Sequence, residues 1–260
     1  MKLLFIGDVV GKSGRLALSQ RLGRLVDRHN IDLVIANGEN AAAGFGVTPD
    51  TVREMLDAGV DVITTGNHVW DKKEVLSCID KEERLLRPAN YPAGAPGRGC
   101  GVYTTPGGIE VAVLNLEGRV FMHNLDCPFR AADRLLEELQ RRTPVILVDF
   151  HAEATSEKVA LGYHLDGRVS AVVGTHTHVQ TADERVLPGG TAFITDVGMT
   201  GSRDGVIGIH KELALERFLT QMPVRFEVCK KDPVLCGVVI TINEESGRAL
   251  EICRVQEALE

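Results

Sequence analysis

The chain has no long hydrophobic stretch. Its apolar runs stop at five or six residues, against the ~20 that a membrane helix requires. The N-terminal segment reaches a carboxylate at Asp8 before a signal-peptide core could form, so a cytoplasmic protein with no membrane association is expected. Basic residues are also scarce. Lys and Arg total 29 against 36 Asp and Glu, a net charge of −7, and they form no block that would grip long nucleic acid. With one Trp, three Tyr and eight Phe, the chain lacks an extended base-stacking platform, though a small nucleotide in a pocket stays open. The six cysteines, Cys78, Cys100, Cys127, Cys229, Cys236 and Cys253, include no Cys-x-x-Cys pair. They read as small core residues in a reducing compartment, which argues against cysteine-zinc chemistry. Repeats, low-complexity tracts and long linkers are missing too.

What is present is an ordinary globular composition, 44% hydrophobic and 25% charged. The 260 residues are read as one domain, 1–260. Lys2–Ile6, Asp32–Ala36, Asp61–Thr65, Val145–Val148 and Ala171–Val173 are short β-branched or Leu-rich runs, mostly without alternation, as strands buried on both faces require. Helical spacing separates them. Leu18, Leu22, Leu25 and Val26 repeat at i, i+4, i+7 and i+8 behind Ser13 as N-cap, and Ala132, Leu135, Leu136 and Leu139 repeat it behind Asp126 and Pro128. Strand–helix–strand order implies an α/β fold with a mainly parallel sheet. Gly101–Leu116 and Val224–Arg254 instead carry strand runs broken by Gly or Asn-Glu-Glu-Ser-Gly turns, which predict hairpins and, through them, a second mixed sheet.

The ends of these runs carry the functional signal. Phe-Ile-Gly leads into Asp8, Val-Ile-Ala-Asn-Gly into Glu39-Asn40, Ile-Thr-Thr-Gly into Asn67-His68, Leu-Val-Asp-Phe into His151, and Val-Val-Gly-Thr into His176-Thr177-His178. Five strands thus deliver carboxylates, amides and imidazoles to their carboxyl ends, where open parallel sheets bind ligands. Gly7, Gly38, Gly66 and Gly174 stand just before these groups and leave room for a sharp turn and a close neighbour. One such residue is usually a satisfied loop residue; five converging ends make a site. Oxygen and imidazole donors without thiolate suit Mn, Fe or Zn, and there are too many donors for one tetrahedral zinc. A glutamate that bridges two cations suits phosphoester hydrolysis.

Gly7-Asp8, Gly38-Glu39-Asn40, Gly66-Asn67-His68, His151 and Gly174-Thr175-His176-Thr177-His178 resemble the five ordered motifs of calcineurin-like metallophosphoesterases. Two features depart from the usual pattern: Asp8 is followed by Val9-Val10 instead of x-His, and Glu39 stands where an aspartate normally bridges. Together with Thr195-Asp196-Val197-Gly198-Met199, these departures resemble the bacterial YmdB-like subfamily. The resemblance implies a four-layer α-β-β-α sandwich of two mixed sheets. It implies two transition-metal ions, iron first, with manganese or zinc as alternatives. One would be held by Asp8, Glu39, Asn40 and His178, the other by Glu39, Asn67, His151 and His176, with Asn40 standing in for the missing histidine. It further implies hydrolysis of small phosphodiesters, notably 2′,3′-cyclic nucleotides, by a metal-bridging hydroxide, with His68 free of metal as general acid. The competing reading is a regulatory protein that senses a nucleotide in a metal-built pocket, with incidental turnover. The expected partner is a small phosphoester substrate; self-association into a homo-oligomer stays open.

Other residues carry weaker signals. Gly7-Asp-Val-Val-Gly11-Lys12-Ser13 imitates a phosphate-binding loop, and Val145–Asp149 the metal-binding strand of an NTPase, but three residues separate the glycines where the loop motif needs four. His29 reads as a cation at a helix C-terminus, and His164 and His210 as structural or solvated. His123 lies in a long connection that could contact substrate, and Arg203 reads either as a phosphate clamp or as a surface ion pair. Ala41–Gly46 reads as a mobile lip beside Glu39.

Overall fold

A computed structural model describes residues 1–259. Two sheets form its centre. The first is built from β1 (Lys2–Ile6), β3 (Leu33–Asn37) and β4 (Val62–Thr64) in parallel, with β12 (Pro233–Ile242) antiparallel to β1 and β13 (Ala249–Ala258) antiparallel to β12. Two short strands, β2 (Asp8–Val9) and β11 (Met199–Ser202), pair in parallel, and β11 joins the sheet through β12. The second sheet runs β5-β6-β7-β8-β10-β9, formed by β5 (Cys100–Thr104), β6 (Glu110–Glu117), β7 (Ile146–His151), β8 (Ala171–Thr175), β9 (Arg185–Val186) and β10 (Ala192–Ile194). Its four central strands are parallel and its two outer strands antiparallel.

Side-chain alternation along a strand explains the layers. Leu3 and Phe5 face the second sheet, in one core with Ile35, Val113, Leu147 and Val173, while Leu4 and Ile6 face the helix-side core with Leu18, Leu22 and Leu25. Those three leucines lie on one face of α1 (Gly11–His29); each contributes about 1.5–3 kcal/mol by burial. Helix α2 (Pro49–Asp57) lies on the same side, started by Pro49 and a reciprocal Thr48–Thr51 cap. Against the far face of the second sheet pack α3 (Pro128–Leu139) and α4 (Thr155–Leu165). The result is an α-β-β-α sandwich. The remaining helix, α5 (Lys211–Thr220), buries only Ala214, and a short 3₁₀ turn covers Lys73–Ser77.

Three expectations need correction. Ser13 lies inside the first turn of α1; the N-cap position is Val10, and the Ser13 hydroxyl donates to the Val10 and Cys229 carbonyls. The two hairpins do not build a second sheet between them. The Gly101–Leu116 hairpin edges the second sheet, whereas the C-terminal one extends the first, and β7 and β8 belong with the former. Each sheet therefore has a parallel centre and an antiparallel hairpin. The cysteines are all free, but only Cys229 and Cys236 are buried; Cys253 faces outward because β13 is an edge strand with one wet face. Among the described residues no helix is long and apolar enough to cross a membrane.

Candidate functional site

The carboxyl ends of β1, β3, β4, β7 and β8 meet at the seam between the two sheets. Asp8, Glu39 and Asn40 come from the first sheet and are buried, as is His151 from the second. Around His151 Nε2 stand Glu39 Oε1, Asn67 Oδ1 and His176 Nδ1, each 3.0 Å away. The Glu39, His151 and His176 donor atoms lie within 4.8 Å of one another. Gly66 makes this approach feasible, since a Cβ there would overlap the His151 ring and the Glu39 carboxylate. Asp8 accepts from the His176 backbone N–H at 3.1 Å and lies 3.7 Å from His151 Nδ1. Asn40 Nδ2 donates to the Gly44 carbonyl at 2.9 Å. Two buried oxygens here, Asp8 Oδ1 and Asn40 Oδ1, have no hydrogen-bond partner among the described residues.

This pattern is a concentration of lone pairs. His176 Nε2 is 3.0 Å from Glu153 Oε2, so that nitrogen carries the proton and Nδ1 faces His151 as an acceptor. A single hydrogen on His151 Nε2 would then face three acceptors. Buried polar atoms left in this state are costly, and a cation satisfies all of them at once. The electrostatics of these groups point the same way. Burial raises the Glu39 carboxyl, but the adjacent His151 imidazole outweighs it and holds the group at about 2. Burial disfavours a charged His151, yet Glu39, Asp8 and Asp149 lift it to about 9. Burial and the neighbouring His151 push His176 down to about 3. The cluster draws positive charge inward, and the donor set fits metal ions.

A second layer orients the imidazoles. His151 Nδ1 is 2.9 Å from Thr175 Oγ1, whose hydroxyl donates to Asp149 Oδ1 at 2.8 Å. This assigns the Nδ1 hydrogen to Thr175 and leaves Nε2 for the site. Asp149 is fully buried and also accepts from Thr64 Oγ1 at 2.5 Å and Asn37 Nδ2 at 3.0 Å; burial pushes its carboxyl up to about 6. His176 and His178 both have positive φ, 104° and 66°, a conformation costing about 1–3 kcal/mol per residue. Asp196 holds that loop. Its Oδ2 accepts from the Thr177 backbone N–H at 3.0 Å and hydroxyl at 2.8 Å, and pairs with the buried Lys158 Nζ at 2.6 Å. His178 Nδ1 donates to the carbonyl of Ile207 at 3.0 Å.

His68 stands at the edge of this cluster, partly exposed. Its Nδ1 is 2.8 Å from Asp71 Oδ2, its backbone N–H reaches Glu39 Oε2 at 3.3 Å, and Phe45 packs edge-on against its ring at 5.0 Å. Beside it opens a cavity of about 320 Å³, lined by His68, Glu39, Asn40, His176 and His178 together with Glu153, Thr177 and several apolar residues.

Several of these partners were missed in the sequence. Asp71 is three residues from His68, and Asp149 precedes His151 by two on one strand, hence on the same face; both signals were legible. Glu153, which meets His176 from a loop, and Glu117, buried at the end of β6 with Oε2 unpaired, left no such trace. Of the weaker candidates, His123 reaches Glu117 at 3.1 Å and does not line the cavity. Arg203 forms a two-pronged pair with Asp232 at 3.0 and 3.1 Å, the surface alternative. His164 pairs with Asp133. The Ala41–Gly46 segment is a tight turn closed by Ala42 N–H to the Gly46 carbonyl.

Known proteins share this architecture throughout. The sequence matches the family model described as YmdB-like protein over residues 4–255. It is 52% identical over 255 residues to the 2′,3′-cyclic-nucleotide 2′-phosphodiesterase of Bacillus subtilis, covering 98% of this chain and 96% of that protein. A crystal structure of a hypothetical protein from Thermus thermophilus superposes with a TM-score of 0.93 at 46% identity, covering 99% of both chains. That of a novel phosphatase from Mycoplasma pneumoniae superposes with a TM-score of 0.92 at 34% identity, over 99% of this chain and 93% of the other. With the match running through every element that builds the site, the chain belongs to the YmdB-like protein family.

Proposed function

We propose that this protein is a dinuclear-metal phosphodiesterase that hydrolyses 2′,3′-cyclic nucleotides. The observation that carries the reading is the crowding of acceptor atoms from Glu39, Asn67, His151 and His176, flanked by the unpartnered oxygens of Asp8 and Asn40. Similarity to the Bacillus phosphodiesterase over nearly the whole of both chains supports the substrate class. One ion would be held by Asp8, Glu39, Asn40 and His178, and a second by Glu39, Asn67, His151 and His176, with Glu39 shared. Mixed oxygen and imidazole donors suit Fe, Mn or Zn. Such ions, when bound, supply an activated water and offset the charge growing on phosphorus.

The chain's own groups do the rest. The cavity admits a small nucleotide, being at the lower end of the ~300–1,000 Å³ range of ligand sites. Water adds to phosphorus and releases a proton, the bond to the ribose 2′ oxygen breaks, and His68 gives its own proton to that oxygen and recovers the one from water, so a 3′-phosphomonoester with a free 2′ hydroxyl leaves. Asp71 at 2.8 Å fixes His68 through Nδ1 and leaves Nε2 as the proton donor. A ribose oxygen needs this proton, whereas a nitrophenolate leaves as an anion. His68→Ala is therefore expected to keep its metals, to lose about 10²–10⁴-fold on 2′,3′-cyclic AMP, and to lose much less on a nitrophenyl phosphodiester. Single-turnover rates with measured metal content decide it. Equal losses on both substrates would leave His68 a phosphate-positioning group, and loss of metal would make it a ligand.

A further inference from the structure

One wall of the site cavity takes no part in the chemistry above. Beside the acceptor cluster, the cavity is also lined by Phe45, Ile207, Ile209 and Phe226. All four side chains are hydrocarbon, in a cavity whose other side is nearly all polar. The backbone carbonyls here are also engaged. The Val206 and Ile209 carbonyls accept from each other's N–H groups, the Gly208 carbonyl accepts from Cys229 N–H, and the Ile207 carbonyl accepts from His178. Ile207 holds a φ of 46°, a genuine outlier for a β-branched residue, and its half-exposed side chain lines the cavity. Phe226 carries the Arg217 guanidinium over its ring at 5.5 Å, which fixes an aromatic that otherwise lies outside any strand or helix. Phe45 sets its ring against His68 at 5.0 Å. A group that takes a proton from His68 therefore leaves beside Phe45, one of these apolar residues.

We infer that this wall is a nucleobase subsite that reads the base by stacking alone, with Phe226 as its specificity-determining residue. The inference rests on the phosphodiesterase reading and adds what the substrate's nucleoside half meets. Strong rejection of a wrong base needs buried polar groups that the wrong base leaves unpaired; this wall offers no polar side chain and no free carbonyl from 206–209. The subsite accepts all four bases, purines somewhat ahead because they cover more of the wall.

The test compares kcat/KM for 2′,3′-cyclic AMP, GMP, CMP and UMP with that for methyl riboside 2′,3′-cyclic phosphate, which keeps ribose and phosphodiester but has no base. The enzyme is wild type, Phe226→Ala or Phe226→Tyr, each loaded with metal and checked for metal content. Wild type should prefer the nucleotides over the riboside by roughly 5- to 100-fold, the range that stacking on one aromatic supplies, with the four bases within roughly tenfold of one another. Phe226→Ala should cut that preference at least about fivefold, and Phe226→Tyr should keep it. No preference for nucleotides in wild type would overturn the subsite. So would a Phe226→Ala enzyme that loses equally on riboside and nucleotides, since the ring would then only support the loop. Discrimination among bases beyond about 100-fold would overturn reading by stacking alone. A fully metal-loaded wild type that turns over none of the five substrates would overturn the phosphodiesterase reading itself, and the subsite with it.

Discussion

The two sheets contribute differently to the seam. The first delivers Asp8, Glu39, Asn40 and Asn67, all oxygen donors, together with His68; the second delivers His151, His176 and His178, all imidazoles. Their supports differ as well. On the first sheet the support goes to the backbone of the turns: the Glu39 N–H donates to Asn37 Oδ1, the Thr65 N–H to Asn115 Oδ1, and Gly66 lets Glu39 lie against His151. The imidazoles instead rest on buried polar networks, Asp149 with Thr175 beneath His151 and Asp196 with Lys158 beneath the His176–His178 loop. The chemistry of the side chains explains the contrast. A carboxylate offers two equivalent oxygens and tolerates rotation, but an imidazole has two distinct nitrogens, and the wrong tautomer or a turned ring presents a hydrogen where a lone pair is required. The second sheet therefore spends its buried polar residues on fixing rings.

The comparison breaks most completely at Glu39, the first-sheet residue whose carboxylate lies 3.0 Å from the second sheet's His151. If the proposed dinuclear centre holds, Glu39→Ala should unload both ions and lower phosphodiesterase activity by more than about 10³-fold, as loss of the charge-stabilising centre demands. Asn67→Ala, which removes one donor from one side, should mainly weaken one ion. Metal analysis by elemental mass spectrometry separates the cases: full occupancy in Glu39→Ala would remove its bridging role and leave the two sheets with independent sites.

How much of this was legible in the sequence follows the same division. The strand-end residues announced themselves because each stands directly after an apolar run and a small residue, a local signal. That these runs are parallel strands was legible; that they divide between two sheets, each with its own parallel centre, was not. Which sheet the C-terminal hairpin joins was not, because pairing of Lys2–Ile6 with Gly237–Thr241 depends on contacts some 235 residues apart in the chain, and no local pattern encodes it. The cap of α1 was misread for a related reason: Ser13 finds its acceptor in the Cys229 carbonyl, a partner brought near only by the tertiary fold. The second-layer residues were half legible. Asp149 shares a strand face with His151, but Thr64 and Asn37 reach it from the other sheet.

That cross-sheet layer gives the next sharpening of the comparison. Asp149 touches no donor atom of the seam directly; it acts through Thr175 on His151 Nδ1. Asp149→Asn replaces an acceptor-only group by one that can donate, so Thr175 and His151 lose their fixed hydrogen direction. Metal affinity is expected to fall about 10- to 100-fold, with activity recovering as metal is raised, and Thr175→Val should behave alike. A metal titration with wild-type affinity in Asp149→Asn would show that ring packing alone orients His151.

The smallest effect is expected away from the seam, at Arg203. Its guanidinium makes two parallel bonds to Asp232, at 3.0 and 3.1 Å, in an exposed setting. The fork that would suit a phosphate is thus already filled by a carboxylate, and solvent screens the pair. Neither partner belongs to the cavity beside His68. Arg203→Ala should leave kcat/KM on cyclic nucleotides within roughly twofold of wild type and Tm without a resolvable change, as exposed ion pairs usually do. A rise in KM of tenfold or more with kcat unchanged would mean that Arg203 leaves Asp232 for the substrate phosphate. The charge that orients the nucleotide would then come from outside the two-sheet seam, and the division of labour between the sheets would be incomplete.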